Sequence, residues 1–117
     1  MATILVIDDS RTDRRLIAQA LAAHTILEAA DGDNGMATAR QAHPDLIILD
    51  VVMPRKNGFQ ICRELRRGSE TAGIPIIILT TKDQPTDREW ALRQGASAYM
   101  SKPFTDEELL SLVGRYV

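Results

Sequence analysis

A single cysteine, Cys62, excludes an internal disulfide and suits a reducing cytoplasm. Long apolar runs are missing too, and no stretch of the chain is able to span a bilayer. The first apolar run, Ile4 to Ile7, is too short for the core of a secretory signal and ends in two aspartates. Neither sign of charge dominates: 14 Lys and Arg face 16 Asp and Glu, for a formal net charge of -2. Without a strong basic field, the chain is not expected to bind nucleic acid directly. Low-complexity tracts, repeats and linkers are absent. What remains is 117 residues, 44% of them hydrophobic, which fits one compact domain over residues 1–117. A domain of that size buries roughly two thirds of its unfolded surface.

The strongest local signal is Leu46-Ile47-Ile48-Leu49-Asp50. Four apolar residues bounded by turn signals predict a strand buried on both faces, and Pro54 keeps it from continuing. Ile4 to Ile7 predicts a second such strand, ending in Asp8-Asp9. Ser10 and Asp13 fit a loose capping box before a helix near 11–22, with Leu16, Ile17, Ala20 and Leu21 on its apolar side. Arg11, Arg14 and Arg15 fall on or near its first turn, either as a solvated face or as a patch for an acidic partner. Thr25 to Ala29 predicts a weaker strand. Asp31-Gly32 reads as a turn, and Met36, Ala37 and Ala42 predict a helix near 34–42 that His43-Pro44 closes.

Asn57-Gly58 reads as a turn able to take positive φ. The next helix, near 59–67, turns Phe59, Ile61, Cys62 and Leu65 inward, with the thiol buried and inert. Ile74 to Thr80 predicts a strand with Pro75 tolerated at its start. Pro85 to Gln94 predicts a helix, with Pro at its first position and Gly95 past its end. Ala98 to Ser101 predicts the last strand. Thr105 and Glu108 cap a final helix that presents Leu109, Leu110, Leu112 and Val113 inward. Five strands alternating with five helices predict an α/β sandwich with a parallel sheet and right-handed crossovers.

Parallel strands place their carboxyl ends on one edge of the sheet, where open α/β folds bind ligands. That edge collects Asp8 and Asp9, Asp50, Thr80 and Lys102. Three carboxylates held together repel one another and resist ionisation. A hard divalent cation removes that penalty, and Mg²⁺ takes one or two carboxylates along with waters and phosphate oxygens. With Lys102 the formal charges then balance, and the site can receive a phosphoryl group. Phosphoryl transfer needs in-line positioning and neutralised oxygens, and a carboxylate nucleophile becomes an acyl phosphate. Asp50, alone at a central strand end, is the candidate nucleophile. Asp8 and Asp9 would hold the metal, Lys102 would act as a point charge on the phosphoryl oxygens, and Thr80 would hydrogen-bond one of them. His24 and His43 fall far from this edge and read as loop or surface residues.

The motifs IDDS at 7–10, LDVVMPRKNGF at 49–59, LTT at 79–81 and KPF at 102–104 resemble those of receiver domains of the two-component response regulators. The resemblance covers essentially the whole chain and lies close to the single-domain chemotaxis type. It implies a flavodoxin-like (βα)5 three-layer sandwich with strand order 2-1-3-4-5. It also implies that Asp50 accepts a phosphoryl group from the phosphohistidine of a chemotaxis-type histidine kinase, or from a phosphotransfer protein. Asp9, Asp50 and the Val52 backbone carbonyl would ligate Mg²⁺ directly, with Asp8 acting through water. Thr80 and Tyr99 would be the switch pair, and the Lys102–Pro103 peptide would be cis. The stretch TTKDQPTDREWALRQGA at 80–96 is similar to the twitching-motility branch, the pilus chemotaxis-like regulators.

On this reading phosphorylation adds about -1.5 to -2 units of charge and draws Thr80 toward the phosphoryl group. Tyr99 turns inward, and the face built by helix four, strand five and helix five changes for a motor or effector protein. Trp90 lies beside that face, as a packing anchor or as a contact. Val52 and Lys82 depart from the chemotaxis regulator, which has an amide and an acid at these places; both are expected to hinder water attack on the phosphorylated aspartate. The chain is expected to be a cytoplasmic monomer that acts by binding, with no output domain after Val117. No enzymatic activity is expected beyond its own phosphorylation and dephosphorylation. The alternatives are a phosphate sink and a phosphorylation-independent binding module. A dehalogenase-type phosphatase needs a second Asp where Val52 stands. A flavin mononucleotide carrier needs a hydroxyl- and glycine-rich loop where Asp8-Asp9-Ser10 stands.

Overall fold

The structure is a computed structural model that describes residues 1–117. The strands are β1 (Thr3–Ile7), β2 (Thr25–Ala29), β3 (Leu46–Leu49), β4 (Ile76–Thr80) and β5 (Ala98–Ser101). Between and after them run α1 (Arg11–Ala20), α2 (Gly32–Ala42), α3 (Gly58–Arg67), α4 (Pro85–Arg93) and α5 (Asp106–Val113). The sheet order is β2-β1-β3-β4-β5 and every pairing is parallel. This is the expected flavodoxin-like three-layer sandwich.

The apolar runs of β1, β3 and β4 are buried on both faces, as parallel central strands require. Alternation along each strand divides the core in two. Leu5, Ile7, Ile47, Leu49, Ile76 and Ile78 face α2, α3 and α4, where Ala39, Ile61, Leu65 and Ala91 meet them. Ile4, Val6, Leu46, Ile48, Ile77 and Leu79 face α1 and α5, packing against Ile17, Leu21, Leu109 and Val113. Cys62 is fully buried, and burial pushes its thiol up to about 11, in keeping with an inert sulfur.

Several boundaries and faces differ from the sequence expectation. Helix α2 starts at Gly32 because Asp31 is its N-cap, accepting from the Asn34 N–H at 2.8 Å. Its buried side is Gly32, Gly35 and Ala39; Ala37 and Ala42 are not part of it. Strand β4 begins at Ile76: Pro75 has no N–H for the ladder, although its carbonyl accepts from the Ile47 N–H at 2.9 Å. Helix α1 ends at Ala20, with Leu21 as its C-cap. Leu16 and Leu110 are exposed, so each of their helices buries a narrower stripe than the leucines suggest.

Positive φ falls on Arg55, at 66°, rather than on Asn57-Gly58. Asn57 instead caps α3 in a full capping box with Gln60. Gly58 answers a packing need: a Cβ there would lie 2.2 Å from the Asp50 carbonyl oxygen. The first turn of α3 therefore rests directly on the Asp50–Val51 peptide. Gly58→Ala is expected to lower stability by about 2–3 kcal/mol. Urea denaturation of the two proteins measures the difference.

Candidate functional site

The carboxyl ends of β1 and β3 are brought level by their pairing. Ile7 is the register partner of Leu49, and the Asp50 N–H donates to the Ile7 carbonyl at 3.0 Å. Asp8 and Asp50 thus emerge side by side, both buried. Asp9 comes next in the chain and is exposed. Carboxylate oxygens of Asp8, Asp9 and Asp50 all lie within 4.8 Å of one another. On the far side of β4, Thr80 pairs with Ser101, and the Lys102 N–H donates to the Thr80 carbonyl at 2.8 Å. From there the Lys102 side chain reaches across to the acidic group. Its Nζ lies 2.7 Å from Asp8 Oδ2 and 2.9 Å from Asp50 Oδ2.

Each buried carboxylate is held at both oxygens. Asp8 Oδ1 accepts from the Ser10 N–H at 2.9 Å, and Asp50 Oδ1 accepts from the Val52 N–H at 3.1 Å. The other oxygen of each faces Lys102. Burial raises the Asp8 carboxyl above its ordinary value, against the hydrogen bonds from Lys102 and Ser10. Burial pulls the Lys102 ammonium down, but hydrogen bonds to Asp13, Asp8 and Asp50 outweigh it and leave the group above its ordinary value. The ammonium is therefore permanently charged at neutral pH. The all-oxygen donor set, with two buried carboxylates already crowded together, fits a hard cation of the Mg²⁺ type.

Asp13 joins the site although the sequence reading places it only in a helix cap. As a capping-box partner it is half right: its N–H donates to Ser10 Oγ at 3.1 Å, but its carboxylate lies 2.7 Å from Lys102 Nζ. The signal was available in the direction of helical side chains, which lean toward the N-terminus and carry an acid in the first turn of α1 back over the end of β1. Arg14 also separates from its neighbours. It donates to Glu28 at 3.0 Å and to the Asp8 carbonyl at 2.7 Å, so it braces the site while Arg11 and Arg15 stay exposed.

Thr80 is fully buried, and its Oγ1 accepts from the Lys82 N–H at 3.4 Å. Tyr99 is buried rather than turned outward. Its hydroxyl donates to the Lys82 carbonyl, and the Arg88 guanidinium carbon stands 5.3 Å from the ring centroid. Burial, with the Asp87 carboxylate adding to it, pushes the phenol up to about 12. Trp90 on α4 is 47% exposed, which removes it as a packing anchor. The Val52 side chain is half exposed beside Asp50. The Lys102–Pro103 peptide is cis, as expected. His24 accepts from the Ala2 N–H at 3.0 Å and His43 caps α2, both away from the acidic edge.

The sequence profile of the response regulator receiver domain matches residues 4–114. The chain belongs to the response regulator receiver domain family. It is 47% identical over 115 residues to the Pseudomonas aeruginosa protein PilH, covering 97% of this chain and 95% of PilH. It is 41% identical to the DNA-binding dual master transcriptional regulator RpaA of Synechocystis, covering 97% of this chain but only 48% of that relative. The fold superimposes on the Vibrio cholerae chemotaxis protein CheY4 with a TM-score of 0.94 at 35% identity, covering 100% of this chain and 99% of CheY4. The chain is therefore a receiver of two-component signalling rather than an enzyme acting on a separate substrate. No helix is long and apolar enough to cross a membrane.

A receiver site of this kind is bought with stability. A carboxyl raised in the folded state costs nothing at low pH, where it is protonated in both states, and weakens the fold as pH rises through its folded-state value. In chelator at pH 7, Asp8→Asn is expected to raise Tm by about 2–5 °C. The gain should vanish below the ordinary carboxyl value of 3.8, which melting curves across pH will track.

Proposed function

We propose that this receiver accepts a phosphoryl group onto Asp50 and reports it to a protein partner through the α4–β5–α5 face. The observation that carries the reading is the contact of Lys102 Nζ with both Asp8 and Asp50, made from strand ends on opposite sides of β4. The donor is a histidine kinase of the chemotaxis type, or a phosphotransfer protein. An Asp50 carboxylate oxygen attacks phosphorus, a P–O bond forms, the P–N bond of the phosphohistidine breaks, and the electron pair leaves on the imidazole. Lys102 takes charge on the phosphoryl oxygens and Thr80 donates its hydroxyl to one of them. Asp8, Asp9, Asp50 and the Val52 carbonyl are the groups that would hold Mg²⁺, which supplies further neutralisation of those oxygens.

Thr80 and Tyr99 are the switch pair, joined through the Lys82 backbone. The likeness to PilH and to the chemotaxis protein CheY4 supports a place in chemotaxis-like or pilus motility signalling, with a motor or effector protein as target. In this reading residues 1–117 act as one cytoplasmic, monomeric receiver that catalyses only its own phosphorylation and dephosphorylation and does not touch nucleic acid.

Incubation with acetyl phosphate and Mg²⁺ is expected to add the mass of one phosphoryl group to the intact protein, and Asp50→Asn is expected to gain none. An adduct of equal yield in Asp50→Asn would place the acceptor elsewhere. The lifetime of the adduct is set beside Asp50. Val52 shields it by bulk, and Lys82 pairs with the phosphoryl group. The double variant Val52→Asn, Lys82→Glu should lose the phosphoryl group faster than the wild type, as measured by the decay of the phosphorylated mass.

A further inference from the structure

The three N–H groups of the Lys102 ammonium are all taken: by Asp8 at 2.7 Å, by Asp50 at 2.9 Å and by Asp13 at 2.7 Å. The three carboxylates are not equivalent. Asp8 and Asp50 belong to the group whose oxygens converge closely enough to hold a cation; Asp13 does not. Its carboxylate comes from the first turn of α1 rather than from a strand end. Its side chain is 34% exposed, where those of Asp8 and Asp50 are 2% and 8% exposed. It also stands on the groove that opens onto Lys102 from solvent, with Leu16, Thr81, Phe104 and a second acid, Asp106, on the walls.

These differences decide which contact yields. A phosphoryl group arriving at Asp50 is an anion and needs an N–H of Lys102. Asp8 and Asp50 gain a second cationic partner when the metal binds, so their hold on Lys102 is relieved. Asp13 has no such alternative and keeps its claim. We propose that Asp13 is a positioning residue that competes with the phosphoryl group for the Lys102 ammonium, and so slows phosphoryl capture at Asp50. The inference rests on the phosphoacceptor reading above. The helix does not depend on this carboxylate for its cap, because Ser10 Oγ accepts from the Asp13 backbone N–H. Asn at this position therefore removes the charge and leaves the cap.

The test compares wild type, Asp13→Asn, Asp13→Ser, Asp13→Glu and Asp50→Asn. Phosphorylation by acetyl phosphate is measured at saturating Mg²⁺ over a range of ionic strength. The Lys102 ammonium resonance is recorded separately in nitrogen-labelled, metal-free protein. At low salt the Asn and Ser variants should be phosphorylated about three- to tenfold faster than wild type, with the gap closing as salt screens the lost charge. Asp13→Glu should return to the wild-type rate. The ammonium resonance should shift in the Asn and Ser variants before any donor is added. Two variants of different size keep the comparison independent of the folding of either one. Rates within twofold of wild type, or a gap indifferent to salt, in a protein whose wild type is phosphorylated and whose Asp50→Asn variant is not, overturn the role of Asp13 alone. A wild type that takes up no phosphoryl group overturns the phosphoacceptor reading itself, and this inference with it.

Discussion

One ammonium group ties the receiver's architecture to its site. Lys102 extends from the end of β5, past β4, to carboxylates at the ends of β1 and β3 and in α1. That reach works only if four strands run the same way and finish level. The pairings Ile7 with Leu49 and Thr80 with Ser101 hold them level. A slip of one residue in either pairing would turn the strand-end side chains to the opposite face of the sheet. The apolar runs prevent the slip, because the two halves of the core each accept only one set of alternating side chains. Positioning of the charged groups is thus a consequence of burying isoleucine and leucine.

The loops on the acidic edge need support of a different kind. The turn after β3 is pinned from below by the start of α3, where Gly58 admits the Asp50–Val51 peptide, and from within by the Val52 N–H on Asp50. On the other side of α3, Arg66 donates to the carbonyls of Gly95, Ala72 and Ile74, tying α3 to the segments that enter β4 and leave α4. Hydrogen bonds from a charged donor to backbone carbonyls contribute more than exposed ion pairs do. The pair of Lys56 with Asp33 is of the exposed sort and adds little to the fold, while Glu64, which Lys56 also meets, is half-buried.

Most of this was legible in the chain. Short β-branched runs ending in acid, hydroxyl or lysine mark the strands and the edge on which chemistry gathers, and the strand-end aspartates meet as the pattern demands. What escaped was set by geometry that periodicity does not carry. Leu16 and Leu110 fit an apolar helical stripe yet face solvent, because one helix face on a sheet buries a narrower band than the leucines cover. Asp31 reads as a turn residue and is an N-cap; both roles use the same side-chain oxygen, and only the helix beginning at Gly32 tells them apart. Asp13 reads as a cap acid and is drawn to an ammonium whose approach from β5 nothing local announces.

The same geometry explains why a change at Asp50 has a route outward. The Lys82 backbone links the proposed switch residues, with its N–H on Thr80 Oγ1 and, in the next peptide, its carbonyl receiving the Tyr99 hydroxyl. In the proposed switch, a Thr80 side chain that turned to a phosphoryl oxygen would give up the Lys82 N–H and loosen the backbone whose next carbonyl holds Tyr99. Helix α4 begins at Pro85, just beyond, and Arg88 on its first turns covers the Tyr99 ring. That helix buries only Ala91, while Trp90 and Leu92 face solvent. An element so lightly held is the one able to shift at small cost, whereas β1 and β3, buried on both faces, cannot move with it. Thr80 stands at the boundary between the two, fixed by its strand and held at its hydroxyl only by the Lys82 N–H at 3.4 Å, which is where the proposed switch would convert a charge event into a displacement.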